Sequence, residues 1–412
     1  MSEEIDVVVI GAGQAGLATS HELEQRGVDH VVLEATTPGS SWLGRWDSFT
    51  LVGQNHTVRL PGAPYLGDDP QGFMGRVEIA GHLDAWAGRL RAPVRSGCPV
   101  RRLRARDTGG FVLETDGGTI VSRVVVVSTG AYQRPHRPPA FATVPDGLPV
   151  VDLTGYRNPD GLPDGPVMVV GSGQSACQVA EELVRAGREV VMACGRAPWF
   201  PRRAGDRDVF EWLLDTPFFD QRVEDLPTPA ARFGANPQLS GAAGGHDLSY
   251  RTLAGLGVRL GGHLLGADDG VVRLAPDLQA SVAAGDHGYR LIRGFVLDLC
   301  AREGIDPPEL PDPPPFAAPA VESVPVRELG CVLVAAGFRP DYASWVQVPD
   351  LVDALGFPVH VDGESVAAPD LHFVGVHFLR RRSSALLFGV GADAAATATR
   401  IATRLAPPPC VE

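Results

Sequence analysis

One stretch near the start of the chain has glycines at the spacing of a nucleotide-binding turn. The sequence GAGQAG follows the apolar run IDVVVI, residues 5–10, and precedes a helical pattern, LATSHELEQRG. In such a turn the first glycine permits the tight bend, the second lets a pyrophosphate approach the backbone, and the third allows close packing of the helix, whose free N–H groups bind phosphate. We predict that a dinucleotide contacts Gly11, Gly13, Gln14, Ala15 and Gly16.

An acidic residue ends the next predicted strand. HVVLEA, residues 30–35, contains Glu34, which lies 18 residues (34 − 16) after Gly16. A carboxylate at this distance accepts hydrogen bonds from ribose hydroxyls and would repel a 2′-phosphate. The first turn therefore suits FAD or NAD.

The same pattern recurs later in the chain. The strand VMVV, residues 167–170, is followed by GSGQSA, with alanine in the third glycine position, which is an allowed variant. The next strand, EVVMAC, ends without an acid and leads to Arg196, with Arg202 and Arg203 beyond it. A guanidinium can bind a 2′-phosphate through two hydrogen bonds, which favours NADPH; the alternative for Arg196 is a solvated surface charge. The predicted contacts of this second nucleotide are Gly171, Gly173, Gln174, Ser175, Arg196 and Arg203.

Composition excludes several classes of function. The 412 residues carry a formal net charge of −13, so binding to nucleic acid or to an anionic membrane is not expected. All the basic residues are arginines, and without lysine neither a P-loop nor a Schiff-base mechanism is available. The six cysteines form neither a CxxC pair nor a zinc-ligand spacing, so no metal site is predicted. Polar residues at the start leave no room for a signal peptide before the first strand, and we expect a cytoplasmic location.

Three further segments resemble the class B flavoprotein monooxygenase superfamily, which includes the flavin-containing monooxygenases, the Baeyer–Villiger enzymes and the bacterial CzcO-like oxidoreductases. They are GSSWLGRWDSFTL (39–51), similar to the GGxW segment of that superfamily, VVVVSTGAYQRP (124–135), similar to its ATG segment, and VLVAAGFRPD (332–341), similar to its ATGF/Y segment. The resemblance covers nearly the whole chain and rests on the order of the segments.

This resemblance implies an α/β fold with two Rossmann-like dinucleotide-binding domains. An FAD domain, residues 1–155 and 322–412, would be interrupted by an NADPH domain, residues 156–321. The proline-rich and glycine-rich stretches NPDGLPDGP (158–166) and PPELPDPPPFAAP (307–319) are typical of connections at such boundaries. The resemblance also implies cofactor contacts beyond the glycine turns, at Trp42, Arg45, Trp46, Gly130, Gly337, Gly389 and Asp393.

The chain departs from the superfamily pattern at two positions that bear on catalysis. Asp152 stands where the FxGxxxHxxxY fingerprint has histidine, a residue thought to act at the domain linker. Val52 stands where flavin-containing monooxygenases place an asparagine beside the flavin, and Asn55 follows three residues later. We expect catalytic roles for Asn55 and Asp152, although Asn55 could instead stabilise a turn.

The leading hypothesis is an FAD-dependent, NADPH-consuming monooxygenase that uses O₂ through a flavin C4a-(hydro)peroxide to oxygenate a small, apolar organic substrate at nitrogen, sulfur or a ketone. The aromatic stretch DVFEWLLDTPFFD (208–220) could cover the site and favour an apolar substrate. The alternatives are an NADPH-dependent flavin reductase or dehydrogenase without oxygen insertion, and a flavin-bound sensor. The oligomeric state stays open, with a homodimer as one option.

Overall fold

A computed structural model describes residues 2–234 and 236–406. Two large sheets dominate its architecture, one mixed and one parallel, with helices packed on the sheet faces. The strands are β1 (Ser2–Ile10), β2 (Val31–Leu33), β3 (Arg59–Leu60), β4 (Ala63–Pro64), β5 (Val94–Arg95), β6 (Val100–Ala105), β7 (Phe111–Thr115), β8 (Gly118–Val127), β9 (Arg134–Pro135), β10 (Val150–Asp152), β11 (Val167–Val170), β12 (Val190–Ala193), β13 (Arg203–Ala204), β14 (Arg207–Asp208), β15 (Leu239–Ser240), β16 (His246–Asp247), β17 (Arg259–Gly261), β18 (Leu264–Asp268), β19 (Val271–Leu274), β20 (Ser323–Pro325), β21 (Cys331–Val334), β22 (Phe338–Arg339), β23 (Val346–Gln347), β24 (His360–Val361), β25 (Glu364–Ser365) and β26 (Leu371–Phe373). The α-helices are α1 (Gln14–Glu24), α2 (Ser40–Leu43), α3 (Arg76–Ala87), α4 (Gln174–Arg185), α5 (Val209–Leu214), α6 (Tyr250–Gly255), α7 (Leu278–Glu303) and α8 (Val390–Leu405).

The first sheet is built around β1. Its parallel part has the order β5-β2-β1-β8-β26, and β6 and β7 extend it as an antiparallel meander along the first half of β8. Alternate residues of β1 enter separate cores on the two faces of the sheet: Val7 and Val9 belong to one core, and Val8 and Ile10 to the other. This burial on both faces explains why the strand has an unbroken apolar sequence.

The second sheet repeats this plan. Its strands are all parallel, in the order β10-β21-β11-β12-β17, and α4 follows β11 as α1 follows β1. Val167 and Val169 point into one core and Met168 and Val170 into another. A separate antiparallel meander, β18-β19-β20, corresponds to the one beside β8. Each glycine turn thus follows the central strand of its own parallel sheet.

The chain passes between the two sheets through a two-stranded antiparallel ribbon. In this ribbon β9 pairs with β22, with Arg134 opposite Arg339 and Pro135 opposite Phe338. After the outgoing strand the chain enters the second sheet, and after the returning strand it rejoins the first. The two crossings therefore run side by side.

The ribbon corrects the boundaries expected at residues 155 and 322. Strands β10 and β21 both lie outside the expected insertion of 156–321, yet both belong to the second sheet, where β21 lies between β10 and β11. All four side chains of β21 are buried there. The expected boundaries would cut this sheet, because they followed the proline-rich and glycine-rich segments rather than strand pairing.

Candidate functional site

The first glycine turn has the backbone that a nucleotide cradle requires. Gly11 has φ +103°, and a side chain on Gly16 would lie 1.7 Å from the carbonyl oxygen of Gly11. A side chain on Gly13, in contrast, would meet no protein atom within 4 Å. The first and third glycines are thus needed by the fold itself, whereas the space beside Gly13 is open to a ligand.

Glu34 is fixed beside this turn by the backbone. Its Oε2 accepts a 2.7 Å hydrogen bond from the N–H of Ala12, and its Oε1 accepts one of 3.0 Å from the N–H of Thr36. Oε1 also accepts from the Thr36 hydroxyl at 3.3 Å, whereas Oε2 keeps a further lone pair, with which the group can still accept a hydrogen bond from a ribose hydroxyl. The side chain is oriented before any ligand arrives.

A cleft of about 410 Å³ opens at this turn. Gly11, Gly13 and Glu34, three of the residues predicted to contact a nucleotide, line it. Other parts of the walls come from the three family-like segments 39–51, 124–135 and 332–341, and from two stretches, 98–100 and 344–345, whose role was not predicted. These are Gly39, Ser40 and Ser41, then Cys98, Pro99 and Val100, then Ser128, Thr129 and Gln133, and finally Asp341, Ser344 and Trp345.

The second glycine turn has equally tight geometry. Gly171 has φ +125°, and a side chain there would lie 2.3 Å from the carbonyl oxygen of Ala335 on the neighbouring strand connection. Ala176, which replaces the third glycine, is fully buried. Gly173 and Ser175 are partly exposed, and Gln174 Nε2 donates to the carbonyl of Pro237 at 2.7 Å. That contact fixes a loop of the 198–249 segment beside the start of α4.

The end of β12 is held by a small hydrogen-bond network. Ser172 Oγ accepts from the N–H of Gly195 at 3.0 Å, and the Tyr250 hydroxyl donates to the Gly195 carbonyl at 2.5 Å. His263 lies nearby, with its Nδ1 2.5 Å from Asp277 Oδ2. The network fixes the backbone immediately before Arg196, although none of its members was singled out from the sequence.

The three arginines after β12 have different environments. Arg196 is exposed, and its guanidinium has no hydrogen-bond partner in residues 2–234 and 236–406. Arg203 is exposed too, but it donates to the carbonyl of Asp206 within its own hairpin. Arg202 is only 3% exposed and forms an ion pair of 2.6 Å with Asp208. Of the three, Arg196 alone presents a guanidinium that is not already engaged, and Arg202 is unable to reach a nucleotide.

The predicted contacts on the segment after α2 divide into two groups. Trp42 is half-buried, and its Nε1 donates to Gln14 Oε1 at 3.3 Å, which joins it to the start of α1. Trp46 is 3% exposed and packs in the core of the second sheet together with Tyr156. The expectation that Trp46 walls a cofactor is therefore wrong, because its indole is enclosed by protein. Arg45, between the two, is partly exposed.

The glycines of the ATG-like and ATGF-like segments shape the connections. Gly130 has φ +68°, and its carbonyl accepts from the Tyr342 hydroxyl at 2.7 Å and from Gln133 Nε2 at 2.8 Å. Gly337 has φ +92°, and its carbonyl accepts from the N–H of His136 at 2.9 Å. Both carbonyls thus stabilise the crossing region, and direct cofactor contact by either glycine stays a prediction.

The start of α8 lies close to the start of α1. Gln14 Nε2 donates at 3.3 Å to the carbonyl of Ala385, in the segment that leads into α8. Gly389 caps this helix, and a side chain there would lie 2.3 Å from the carbonyl of Ser383. The two helices therefore present their N–H groups, and the positive ends of their dipoles, near the same region.

Asp393, in the first turn of α8, is fully buried. Burial raises the pKa of its carboxyl, and neither carboxylate oxygen has a hydrogen-bond partner among the described residues. A side chain with no exposed surface has no face left for a ligand, so the expected direct contact of Asp393 with a cofactor is wrong. Its position on a helix start was readable from the sequence, but its orientation toward the packed side was not.

Asn55 is used to join two segments of the chain. Its Nδ2 donates to the carbonyl of Asp69 at 2.9 Å, and its Oδ1 accepts from the N–H of Met74 at 2.7 Å. The side chain is buried, with 4% of the residue exposed. These contacts favour the turn-stabilising alternative over the catalytic role expected for Asn55.

Asp152 forms an ion pair with the crossing region. Its two carboxylate oxygens accept from Arg137 Nε at 2.9 Å and from Arg137 Nη2 at 2.8 Å. Arg137 follows β9, whereas Asp152 ends β10 at the edge of the second sheet. The residue that replaces the superfamily histidine therefore holds the crossing against the second sheet, and a direct catalytic role finds no support in this geometry.

The aromatic stretch 208–220 packs against the segment before α8. Phe219 lies 4.8 Å from Phe388 and 5.9 Å from Phe210, measured between ring centroids. Trp212 and Phe218 are buried in the same cluster, while Phe210 and Phe388 are half-buried. The stretch comprises α5 and a 3₁₀ turn, and its apolar rings pack against the segment that leads into α8.

Tyr132 was not predicted to contribute to the site. Its ring is 55% exposed, yet desolvation raises the pKa of its hydroxyl while Arg45 lowers it. Tyr132 stacks on His377 with centroids 5.3 Å apart, and burial lowers the pKa of that histidine to about 4.

Helices of the described residues are either too short or too polar to cross a membrane. Within the same residues the structure contains no group of three His, Cys, Asp or Glu side chains placed to hold a metal ion.

Comparisons with known proteins agree with this geometry. Residues 8–227 match the model of the pyridine nucleotide-disulphide oxidoreductase family. An uncharacterized CzcO-like oxidoreductase of Geobacillus kaustophilus is 30% identical, covering 96% of this chain and 97% of its own. A flavin monooxygenase mutant from Stenotrophomonas maltophilia has a similar fold at 19% identity, with a TM-score of 0.68 and coverage of 98% of this chain and all of that one. The bacillithiol disulfide reductase of Staphylococcus aureus is similar in fold at 13% identity, with a TM-score of 0.64 and the same coverage.

One assignment follows from three observations: the family model matches more than half of the chain, the CzcO-like relative is similar over nearly its full length, and the structure has two glycine turns. The resemblance to the class B flavoprotein monooxygenases is confirmed, and the mixed α/β fold agrees with it. The chain belongs to the pyridine nucleotide-disulphide oxidoreductase family and is a flavin-dependent oxidoreductase whose cofactors are FAD and NADPH.

Proposed function

We propose that the protein is a monooxygenase in which NADPH, bound at the second glycine turn, reduces FAD bound at the first, so that O₂ oxygenates a small organic substrate. The observation that carries the proposal is the repeated strand, glycine turn and helix, followed by Glu34 in one case and by Arg196 in the other. Both turns can bind a pyrophosphate in the same way. They differ in the charge next to the ribose, which is negative at Glu34 and positive at Arg196.

The residues present fit FAD at the first turn. The open space beside Gly13 leaves room for a pyrophosphate near the start of α1, and the anchored Glu34 carboxylate can accept from ribose hydroxyls. The N–H groups at the start of α8 would lower the energy of negative charge on the reduced flavin ring. When bound, the flavin supplies hydride acceptance and the activation of O₂.

The second turn fits NADPH for a different reason. Gly173 and Ser175 present the start of α4, and the free guanidinium of Arg196 follows the adjacent strand. A guanidinium binds a 2′-phosphate more strongly than a ribose hydroxyl, because charge-assisted hydrogen bonds are about twice as strong as neutral ones. The Ser172, Gly195 and Tyr250 network holds the backbone that positions Arg196.

This proposal also assigns the two sheets to two domains. An FAD domain would contain the first sheet, from β1 to the start of the ribbon and from its end through α8. An NADPH domain would contain the second sheet, from β10 to β21, so that the ribbon β9–β22 joins the two. The inserted domain would thus begin and end nearer the ribbon than residues 156 and 321.

The aromatic stretch 208–220 would exclude water from the flavin. Its rings pack on Phe388 next to the start of α8, and water exclusion protects a reactive oxygen species from release as hydrogen peroxide. The same rings favour an apolar substrate body.

The test is oxygen incorporation. The purified flavoprotein would be supplied with NADPH and ¹⁸O₂ and screened against amines, thioethers, ketones and carboxylic acids, with hydrogen peroxide measured in parallel. A product carrying one ¹⁸O atom per NADPH consumed supports the proposal. Stoichiometric peroxide with every substrate, together with rapid reduction of added electron acceptors, would overturn it.

A second candidate is an NADPH-dependent reductase without oxygen insertion. The likeness in fold to a disulfide reductase and the ion-paired Asp152 favour it. Such a reductase would not use a redox-active pair formed by Cys177 and Cys194. Both are buried, and desolvation raises the pKa of both thiols, so their reactive thiolate forms are disfavoured. This enzyme would therefore pass electrons from the flavin directly to an external acceptor.

A further inference from the structure

His263 lies beside the end of β12, where the second nucleotide would place its ribose. Strands β12 and β17 are parallel neighbours, so their carboxyl ends lie at the same edge of the sheet. Gly195 and Arg196 follow the end of β12, and His263 follows the end of β17 at Gly261. In a dinucleotide-binding fold the 2′ substituent of the ribose is recognised at the end of the second strand, which is β12 here. His263 therefore reaches this position from a different strand than Arg196 does.

The imidazole of His263 is held by Asp277, the residue immediately before α7. Its Nδ1 lies 2.5 Å from Asp277 Oδ2, and the main-chain N–H of His263 donates to Asp277 Oδ1 at 3.0 Å. Burial raises the pKa of the Asp277 carboxyl, the hydrogen bonds from His263 act in the opposite direction, and the pKa is lowered overall. An ionised carboxylate only accepts hydrogen bonds, so Nδ1 carries the proton. Asp277 thus fixes both the orientation and the tautomer of the ring.

The other ring nitrogen of His263, Nε2, faces the backbone that follows β12. A side chain on Gly195 would lie 3.6 Å from Nε2, 4.0 Å from Cδ2 of the same ring and 3.2 Å from Ser172 Oγ in the glycine turn. Because Gly195 has no side chain, the space between the turn and the imidazole is open. Nε2 has no hydrogen-bond partner within the described part of the chain, and 48% of the side chain is exposed. A ligand can therefore reach this nitrogen.

Two positive groups can flank Gly195. Arg196 follows it directly with an unengaged guanidinium, and His263, as an imidazolium, can donate from Nε2 while Nδ1–H stays bonded to Asp277. A phosphate monoester carries about two negative charges and three acceptor oxygens at neutral pH, so it can bind both groups at once. A ribose hydroxyl offers no charge to either. The pair therefore suits the phosphorylated ribose.

We propose that His263, positioned by Asp277, is a second ligand of the NADPH 2′-phosphate and shares with Arg196 the discrimination against NADH. The inference rests on the proposed function, in which NADPH binds at the second glycine turn. His263 lies 67 residues (263 − 196) after Arg196. The pattern of strand, glycine turn, helix and strand ends well before it, so only the pairing of β12 with β17 brings the histidine to this site.

The probes are NADP⁺ and NAD⁺, which differ only in the 2′-phosphate. Their binding to the purified flavoprotein would be measured by isothermal titration calorimetry, which needs neither turnover nor flavin reduction. We expect the wild-type protein to bind NADP⁺ at least ~10-fold more tightly than NAD⁺. His263→Gln keeps a polar side chain without the positive charge and should reduce this ratio ~5-fold or more, with the affinity for NAD⁺ unchanged. His263→Arg returns a positive charge and should restore the preference.

His287→Gln is the matched control. His287 is exposed on α7, the helix that follows Asp277, and its ring has no hydrogen-bond partner among the residues that the structure describes. This variant should leave both affinities unchanged. The flavin content and the free energy of unfolding are measured in every variant, so that a loss of fold is recognised as such.

A preference for NADP⁺ that survives His263→Gln would overturn the inference. An equal loss of affinity for both nucleotides would overturn it as well, because it would assign the imidazole to the adenine or to the contact between β17 and α7. Equal binding of NADP⁺ and NAD⁺ to the wild-type protein would contradict the assignment of NADPH to the second turn, and the inference with it. Failure of the proposed oxygenation is read separately, from ¹⁸O incorporation.

Discussion

Glu34 Oε2 lies 2.7 Å from the main-chain nitrogen of Ala12, in the middle of the first glycine turn. The carboxylate is thus bonded to the same backbone that would bind a pyrophosphate. Glu34→Gln replaces one acceptor by a donor, so at least one of its backbone bonds is lost and a ribose hydroxyl meets a weaker acceptor. We expect the FAD affinity to fall ~10-fold or more.

The flavin-to-protein ratio after dialysis measures this effect. Glu22→Gln, in the ion pair with Arg26, serves as the control because Glu22 lies near the C-terminal end of α1, away from the turn. Full flavin occupancy in Glu34→Gln would contradict the role given to this carboxylate.

Two glycines of the first turn should respond differently to the same substitution. Gly16→Ala places a carbon atom 1.7 Å from the carbonyl oxygen of Gly11, which forces the helix away from the strand and should destabilise the fold by at least ~1–3 kcal/mol. Gly13→Ala adds a methyl group to open space and should leave the free energy of unfolding of the apoprotein nearly unchanged while it weakens FAD binding. Urea unfolding of the apoproteins and flavin titration separate the two effects. Similar stability losses in both variants would be inconsistent with the turn described here.

Arg196 should determine the preference for NADPH. In Arg196→Gln, loss of a charge-assisted contact worth ~1.5–3 kcal/mol should raise the KM for NADPH ~10-fold to ~100-fold and leave that for NADH unchanged. Arg203→Gln should change neither, because Arg203 is engaged with Asp206 in its hairpin. Anaerobic reduction of the flavin by each nucleotide gives the values. If Arg203→Gln raised the KM for NADPH strongly and Arg196→Gln left it unchanged, the 2′-phosphate would be assigned to Arg203 instead of Arg196.

The Arg137–Asp152 pair should act as a unit. Asp152→Asn removes the charge and one of the two acceptor oxygens, and Arg137→Gln removes the guanidinium. Each substitution breaks the bidentate ion pair, so both single variants and the double variant should show similar rates of flavin reduction. The pair is partly exposed, and its contribution to stability should stay below ~1 kcal/mol. Rapid-mixing measurements in the absence of oxygen provide the rates. A loss confined to Asp152→Asn would restore the direct catalytic role that the sequence suggested.

The buried histidine His377 should make stability dependent on pH. Burial lowers its pKa to about 4, whereas an unfolded chain has a histidine pKa near ~6.5. Between these values the unfolded chain binds a proton that the folded protein does not, so the free energy of unfolding falls as the pH falls from ~6.5 toward 4. His377→Phe keeps a ring against Tyr132 and should reduce this dependence. Urea unfolding at several pH values tests it, with His287→Phe on the exposed face of α7 as the control; equal slopes in all three proteins would exclude His377 as the cause.

Local sequence determined the parts of the site that were predicted well. Each glycine turn depends on a strand, a short loop and a helix that are contiguous in the chain, so spacing alone indicated the geometry around Gly11, Gly171 and Glu34. The start of α8 was likewise readable, because an alanine-rich helix following a glycine is a local pattern.

Residues whose role depends on distant partners were predicted less well. Trp46 is buried by the second sheet and Asp393 by helix packing, and neither environment is encoded in the neighbouring residues. The membership of β21 in the second sheet depends on strand pairing across more than a hundred residues of chain. Asn55 and Asp152 were assigned by alignment to a family pattern, whereas the structure shows each of them bonded to another segment.

The pairing of β9 with β22 places the two ends of the segment that forms the second sheet side by side. Opposite residues in an antiparallel ribbon have Cα atoms only ~4.5–5.5 Å apart. A segment that leaves and re-enters a protein over so short a gap can be exchanged for a homologous segment without changing the path of the remaining chain, provided that the new segment also buries Trp46. Domain exchange between relatives with different nucleotide preference is therefore feasible in this chain, with the ribbon as the natural point for both splices.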